Sequence, residues 1–186
     1  MPGWEFEKNS VLNSPEKAEC VEVFQGFCNE LGRYFTGHGA KYAKSGPHIS
    51  FSQNDVRLKI CFWSSGSNMK GSYVNLEVIP SFFSRHVKEK KGYFWGHPEV
   101  FNTQKNTIKN NYNICEMPEE VFGVVTEMIT YEILPIFDVL EDESKIAKYL
   151  DSLKPKYTKR RIIENRGLEL FLKHMYPALH TNYYGN

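Results

Sequence analysis

Six histidines, four cysteines and a scatter of serines and carboxylates are the groups that could do chemistry in this chain. Their spacing decides what each can do. His38, His48, His86, His97, His174 and His180 never stand four apart, so no helix face would carry two of them, and no His-Glu-x-x-His run occurs. Cys20, Cys28, Cys61 and Cys115 include no Cys-x-x-Cys pair of the kind that holds zinc. No Gly-x-Ser-x-Gly elbow is present to raise a serine nucleophile. The glycine runs Gly37-His38-Gly39 and Ser65-Gly66-Ser67 lead into no helix as a phosphate-binding loop would and read as turns. Glu141, Asp142 and Glu143 could offer metal carboxylates, but at the start of a predicted helix they complement its dipole. Cys61 is the one candidate nucleophile, and it would need a histidine brought from a distant segment. On this reading no residue is assigned to catalysis or to a metal, and no cofactor is expected.

Two stretches point to binding instead. Tyr93, Phe94 and Trp95 are adjacent rings in a glycine- and proline-flanked loop. Three consecutive rings cannot all face one core, and an exposed ring anchors a partner well. The bland alternative folds them back over the sheet. The second stretch is basic. Lys154, Lys156, Lys159, Arg160, Arg161, Arg166 and Lys173 face only Glu164 and Glu169 in the same segment, with Tyr157 and Tyr176 beside them. Lys159, Arg160 and Arg161 could therefore contact phosphates while a ring stacks on a base. A solvated helix face is the bland reading of the same charge run.

The elements that must position these residues are legible from hydrophobic period. Residues 14–33 predict a helix, with Ser14 as N-cap, Pro15 in its first turn and Val21, Phe24, Cys28 and Leu31 as its apolar stripe. Gly32 or Gly37 would end it. Residues 41–44 and 48–52 read as short strands around Gly46-Pro47. Residues 56–63 alternate strictly: Val56, Leu58, Ile60 and Phe62 to one side, Arg57, Lys59, Cys61 and Trp63 to the other. Residues 72–79 form the next strand, and Pro80 is expected to stop it. A short amphipathic helix is expected over 81–92 and an irregular loop over 92–113. A long helix covers 118–140, carrying Val121, Val124, Val125 and Met128 among its apolar positions, with a kink at Pro135. Helices over 142–153 and 158–175 follow, and residues 181–186 are expected to fray.

The fold class that follows is α+β: an antiparallel sheet of about four strands with helices on one face and a helical C-terminal segment. With 186 residues the chain fits a single domain over 1–186, with 155–186 as a C-terminal extension. The net charge of +1 gives no overall pull toward nucleic acid or an anionic membrane. No run of apolar residues is long enough to cross a bilayer, so no membrane partner is expected. Unpaired cysteines and the lack of an apolar leader suggest a soluble protein of a reducing cytoplasm.

Strands 41–44 to 72–79 after a leading helix, the run Tyr73-Val74-Asn75-Leu76-Glu77-Val78, and the later run Ile133-Leu134-Pro135-Ile136-Phe137 resemble the bacterial proteins grouped as domain of unknown function 4304. The resemblance spans about residues 18–153. It implies no activity and no catalytic residues to carry over. It implies a small bacterial accessory or immunity-like protein that binds another protein. Three functions therefore stand open: a non-enzymatic protein-binding module, a nucleic-acid-binding accessory protein using the basic C-terminal stretch, and an enzyme whose site is built from distant residues.

Overall fold

The structure is a computed structural model that describes residues 4–53, 55–84, 93–94, 111–140, 142–153 and 166–185. The side chains of residues 93, 94, 136, 152, 153 and 166–168 fall outside that description.

The fold is α+β. Strands β1 (Lys41–Ala43), β2 (His48–Gln53), β3 (Val56–Trp63), β4 (Asn75–Ser84) and β5 (Tyr93–Phe94) lie side by side in chain order. A short sixth strand, β6 (Asn111–Asn113), also pairs with β4. The sheet thus has five strands along its path rather than about four. Helices are α1 (Cys20–Thr36), α2 (Pro118–Met128), α3 (Leu134–Val139), α4 (Glu143–Leu153), α5 (Arg166–Met175) and α6 (Pro177–Tyr184).

The chain groups into two compact units. One comprises Met1–Phe51, Ile60–Ile79 and Lys109–Ile129; the other comprises Ser52–Lys59, Pro80–Ile108 and Thr130–Asn186. In the first, α1 and α2 bury Val23, Phe27, Leu31, Phe35, Phe122 and Val125. Trp4 closes this core: it stacks on Phe122 at 5.6 Å between centroids and meets the Tyr34 ring edge-on at 5.2 Å. In the second, Phe137, Leu140, Ile146, Leu150, Phe171 and Leu172 form the core. Tyr176 donates to the Leu140 carbonyl at 2.7 Å, and Tyr183 donates to Asp151.

Several local expectations change. Helix α1 begins at Cys20, not near Ser14. Residues 11–13 and 15–17 make two single 3-10 turns, and extended backbone at Ala18 and Glu19 interrupts them. Glu19 then caps the helix reciprocally with Glu22, whose carboxylate accepts the Glu19 N–H at 2.9 Å. Of the expected apolar stripe, Cys28 and Leu31 are buried and its first half is not. Val23, Phe27 and Leu31 face inward, Phe24 is half-buried, and Val21 is 71% exposed.

Pro80 does not stop β4. The β6 register pairs residues 75–77, and the β5 register pairs Ser81 and Phe82. Pro80 lies in the interval between them, where its missing N–H breaks no rung of either register. Residues 81–84 are consequently strand rather than helix, while 85–92 lie outside the described residues. The expected 92–113 loop contains strand pairing at both ends, β5 and β6; residues 95–110 lie outside the described residues.

The long 118–140 helix is interrupted where Pro135 requires. A π turn over Ile129–Ile133 precedes α3, and Pro135 sits in the first turn of α3. A proline there would clash with the carbonyl four residues back in a continuous helix, and the wider turn moves that carbonyl away. Val124, assigned to the apolar stripe, is 51% exposed. Residues 177–184, where fraying was expected from 181, form helix α6 with Leu179 buried. Helix α4 starts as expected: Asp142 accepts from the Ser144 and Lys145 N–H groups at 2.9 and 3.0 Å. The acidic run is thus a helix cap in part, and the Ser144 hydroxyl, which donates to the same carboxylate at 2.7 Å, followed by the backbone bonds, holds the Asp142 carboxyl below its usual range.

Candidate functional site

Within the first unit, three segments meet at one corner: the first turn of α1, the 64–73 connection between β3 and β4, and residues 113–117 leading into α2. Backbone demands bring them together. Gly71 has φ +78° and sits so close to the α1 approach that a Cβ there would be 3.2 Å from the Glu16 carbonyl oxygen. Both features call for glycine. Lys70 binds the Glu19 carboxylate, and that bond is the main reason its amine titrates above the usual range. Asn113 donates to the Ser72 carbonyl at 3.0 Å and accepts from the Val74 and Cys115 N–H groups, both at 3.1 Å.

The 64–73 connection is serine- and glycine-rich, yet it is tied down. Asn75 is buried, and its side-chain amide donates to Ser65 Oγ at 3.2 Å and Glu77 Oε1 at 3.1 Å. Its backbone N–H donates to Asn68 Oδ1 at 2.8 Å, and Asn68 donates to Ser64 Oγ at 2.8 Å. Met69 and Tyr73 close the tip through two backbone bonds of 2.7 and 2.9 Å. Each buried polar group named here is therefore satisfied.

This ordered frame presents large apolar side chains to solvent. Trp63 is 62% exposed, Met69 60% and Met117 51%. Met117, Val121 and Val124 follow at spacings of four and three, which places them on one face of α2. Val121 is half-buried and the other two are exposed. Val21, in the first turn of α1, is a fifth exposed apolar group. Single exposed apolar residues need no explanation, but several on one hydrogen-bonded frame do.

The residues singled out from sequence fare differently. Tyr93 and Phe94 form β5, antiparallel to β4 through Phe82 and Ser81, so their backbone is sheet rather than loop. Trp95, Lys159, Arg160 and Arg161 lie outside the described residues. Cys61 is half-buried on the outer side of β3, as the alternation predicts. Cys28 is fully buried and burial pushes its thiol far up, which makes it inert. Cys115 is buried beside Cys20 and the Glu16 and Glu116 carboxylates, and burial first, then these neighbours, raise its thiol. All four cysteines are free. His38 and His48 bond backbone carbonyls of Tyr34 and Gly46 at 2.8 Å each. Among the described residues no group of three His, Cys, Asp or Glu side chains could hold a metal ion. No helix of the described residues is long and apolar enough to cross a membrane.

Sequence reasoning missed Met69, Met117, Val21 and Val124 as surface groups. Trp63 was within reach, because the β3 alternation already places it opposite the buried side. Comparison with family models, with curated proteins and with solved structures found no match.

Proposed function

We propose that this chain is a non-enzymatic protein-binding module, an accessory or immunity-like protein of the cytoplasm, and that Trp63, Met69, Met117 and Val124 contact its partner. The observation that carries this reading is the exposure of Trp63, at the end of β3, and of Met69, on the following loop whose polar groups are already satisfied. The backbone that carries Met69 is held in place before binding, so a partner gains contact area without ordering the loop. Tryptophan and methionine are enriched at the centres of protein interfaces. The resemblance noted above, to small proteins that act by binding another protein, points the same way. Trp95 belongs to the same proposal as a second anchor.

Affinity capture from native lysate tests it, with the wild-type chain beside Trp63→Ala and Met69→Ala. A stoichiometric protein should be retained by the wild type and weakened by about 2 kcal/mol or more in the Trp63 variant. Both variants should keep their folding stability within about 0.5 kcal/mol, because exposed positions contribute little. Capture of the same protein at undiminished strength by both variants would remove this surface from the proposal. If nucleic acid co-purifies instead and leaves with rising salt, the accessory role at phosphates takes precedence.

A further inference from the structure

We propose, resting on the protein-binding reading above, that the docking element of the partner is a basic amphipathic segment: apolar residues on one side, Lys or Arg along its flanks. The apolar half of this match is the Met69, Met117 and Val124 surface already described. The charge half comes from the residues around it. Segments 16–22, 64–73 and 113–121 carry Glu16, Glu19, Glu22, Glu116, Glu119 and Glu120, all exposed, against only Lys17 and Lys70. The chain as a whole is nearly neutral at +1, so the acidity is local. Neither lysine offsets it freely. Lys70 is engaged with Glu19, and Lys17 lies 3.9 Å from Glu16. Glu119 and Glu120 have no ion-pair partner among the described residues; both are in the first turn of α2, and Glu120, three residues after Met117 and four before Val124, lies beside their face.

The carboxylates alone would be explained by the two helix N-termini that they complement. The exposed methionines and valines between them are not explained that way. An apolar centre with a rim of one charge is the arrangement that selects a partner of the opposite charge and repels one of the same charge. A helix with leucine-like residues on one face and lysines beside them would bury its apolar face on α2 and place its ammonium groups at Glu116 and Glu120.

The test uses the full chain and two synthetic helical peptides of about 14 residues, roughly four turns, one built of Leu and Lys and one of Leu and Glu. Binding is read by fluorescence anisotropy. The Leu–Lys peptide should bind at least about tenfold tighter than the Leu–Glu peptide, and the gap should shrink between about 0.05 M and 0.5 M salt as screening shortens. Glu116→Gln with Glu119→Gln and Glu120→Gln should weaken the Leu–Lys peptide by about fivefold or more. The single Glu116→Gln, outside the helix, should weaken it in the same direction and covers the case in which the triple variant unfolds. Met117→Ser with Val124→Ser should weaken it as well.

Equal binding of both peptides, each lost in the Met117/Val124 variant, would overturn the charge preference and leave the protein-binding surface standing. Binding lost in the glutamate variants but untouched by Met117→Ser and Val124→Ser would be plain attraction of cations and would overturn the proposal. Self-association of the chain, abolished by the same Met117/Val124 variant, would assign the surface to a second copy and overturn it too.

Discussion

Glu30 is a buried carboxylate near a helix end, and its partners account for its place. It accepts from Trp4 Nε1 at 3.1 Å, from the Glu7 N–H at 3.3 Å, and from Arg33 Nη2 at 2.6 Å. Arg33 in turn lies 4.2 Å over the Trp4 ring. Glu30→Ala leaves the Trp4 indole N–H without its acceptor and leaves the Arg33 guanidinium with the Glu5 carbonyl at 3.0 Å, and should cost about 2 kcal/mol in a urea titration. That figure is smaller than for a fully buried pair because Arg33 is partly solvated. Tyr42 makes a second residue-scale prediction. Burial first, then the Cys28 thiol, pushes its hydroxyl from 10.0 up to about 12, against a smaller lowering by Gln25. The folded state thus holds this proton more tightly than the unfolded state does. Its contribution is present below pH 10 and is lost as pH rises from there toward about 12. Tyr42→Phe should flatten the alkaline fall of the melting temperature across that window.

Glycines test the elements. Gly32 lies inside α1, where a Cβ would stand 2.4 Å from the Tyr42 ring. The helix approaches β1 closely because this side chain is only a hydrogen. Gly32→Ala gains about 1 kcal/mol of helix propensity, but the clash with a ring fixed by its bond to Asn29 costs more. A net loss of about 1–2 kcal/mol is expected, and pairing it with Tyr42→Ala should remove most of the clash. Gly123 is the contrast. Nothing lies within 4 Å of a Cβ there, so Gly123→Ala should raise the stability of α2 by up to about 1 kcal/mol. Gly71→Ala should be destabilising by about 1–2 kcal/mol, since its positive φ and the Glu16 carbonyl both oppose a side chain. Chemical denaturation of the three variants checks the order of the signs.

At the scale of the molecule, each compact unit is assembled from three separate stretches of chain, and β3 and β4 both contribute to each. Neither unit is a continuous piece that could be cut away and left folded. One cooperative transition is therefore expected, with tryptophan fluorescence and far-ultraviolet dichroism tracing the same curve. Phe27→Ala in one core should cost about 3–5 kcal/mol and Leu150→Ala in the other about 2–5 kcal/mol. Each should lower that single midpoint rather than split it. Separate midpoints for the two variants would mean that the units unfold independently.

Strand β3 was legible residue by residue, because alternation with a period of two specifies both the element and its buried side. The hairpin before it, the helix cap at Asp142 and the break at Pro135 were legible for similarly local reasons: a turn glycine, a short acceptor side chain, a missing N–H. Helix α1 was legible as a helix and in its buried Cys28 and Leu31, but not in its start. Ser14 and Pro15 are as good a start signal as Glu19 and Glu22, and only tertiary packing such as that of Phe27 on Phe122 decides between them. Pro80 reads as a stop in one dimension, yet β4 runs through it from Asn75 to Ser84. The corner of Trp63, Met69 and Met117 lies furthest from the sequence. It joins residues more than fifty positions apart, and an apolar side chain carries no mark of whether it will be buried. That was decided by Gly71, Asn75 and Asn113, whose backbone freedom and hydrogen bonds draw the three segments together and leave those side chains outside.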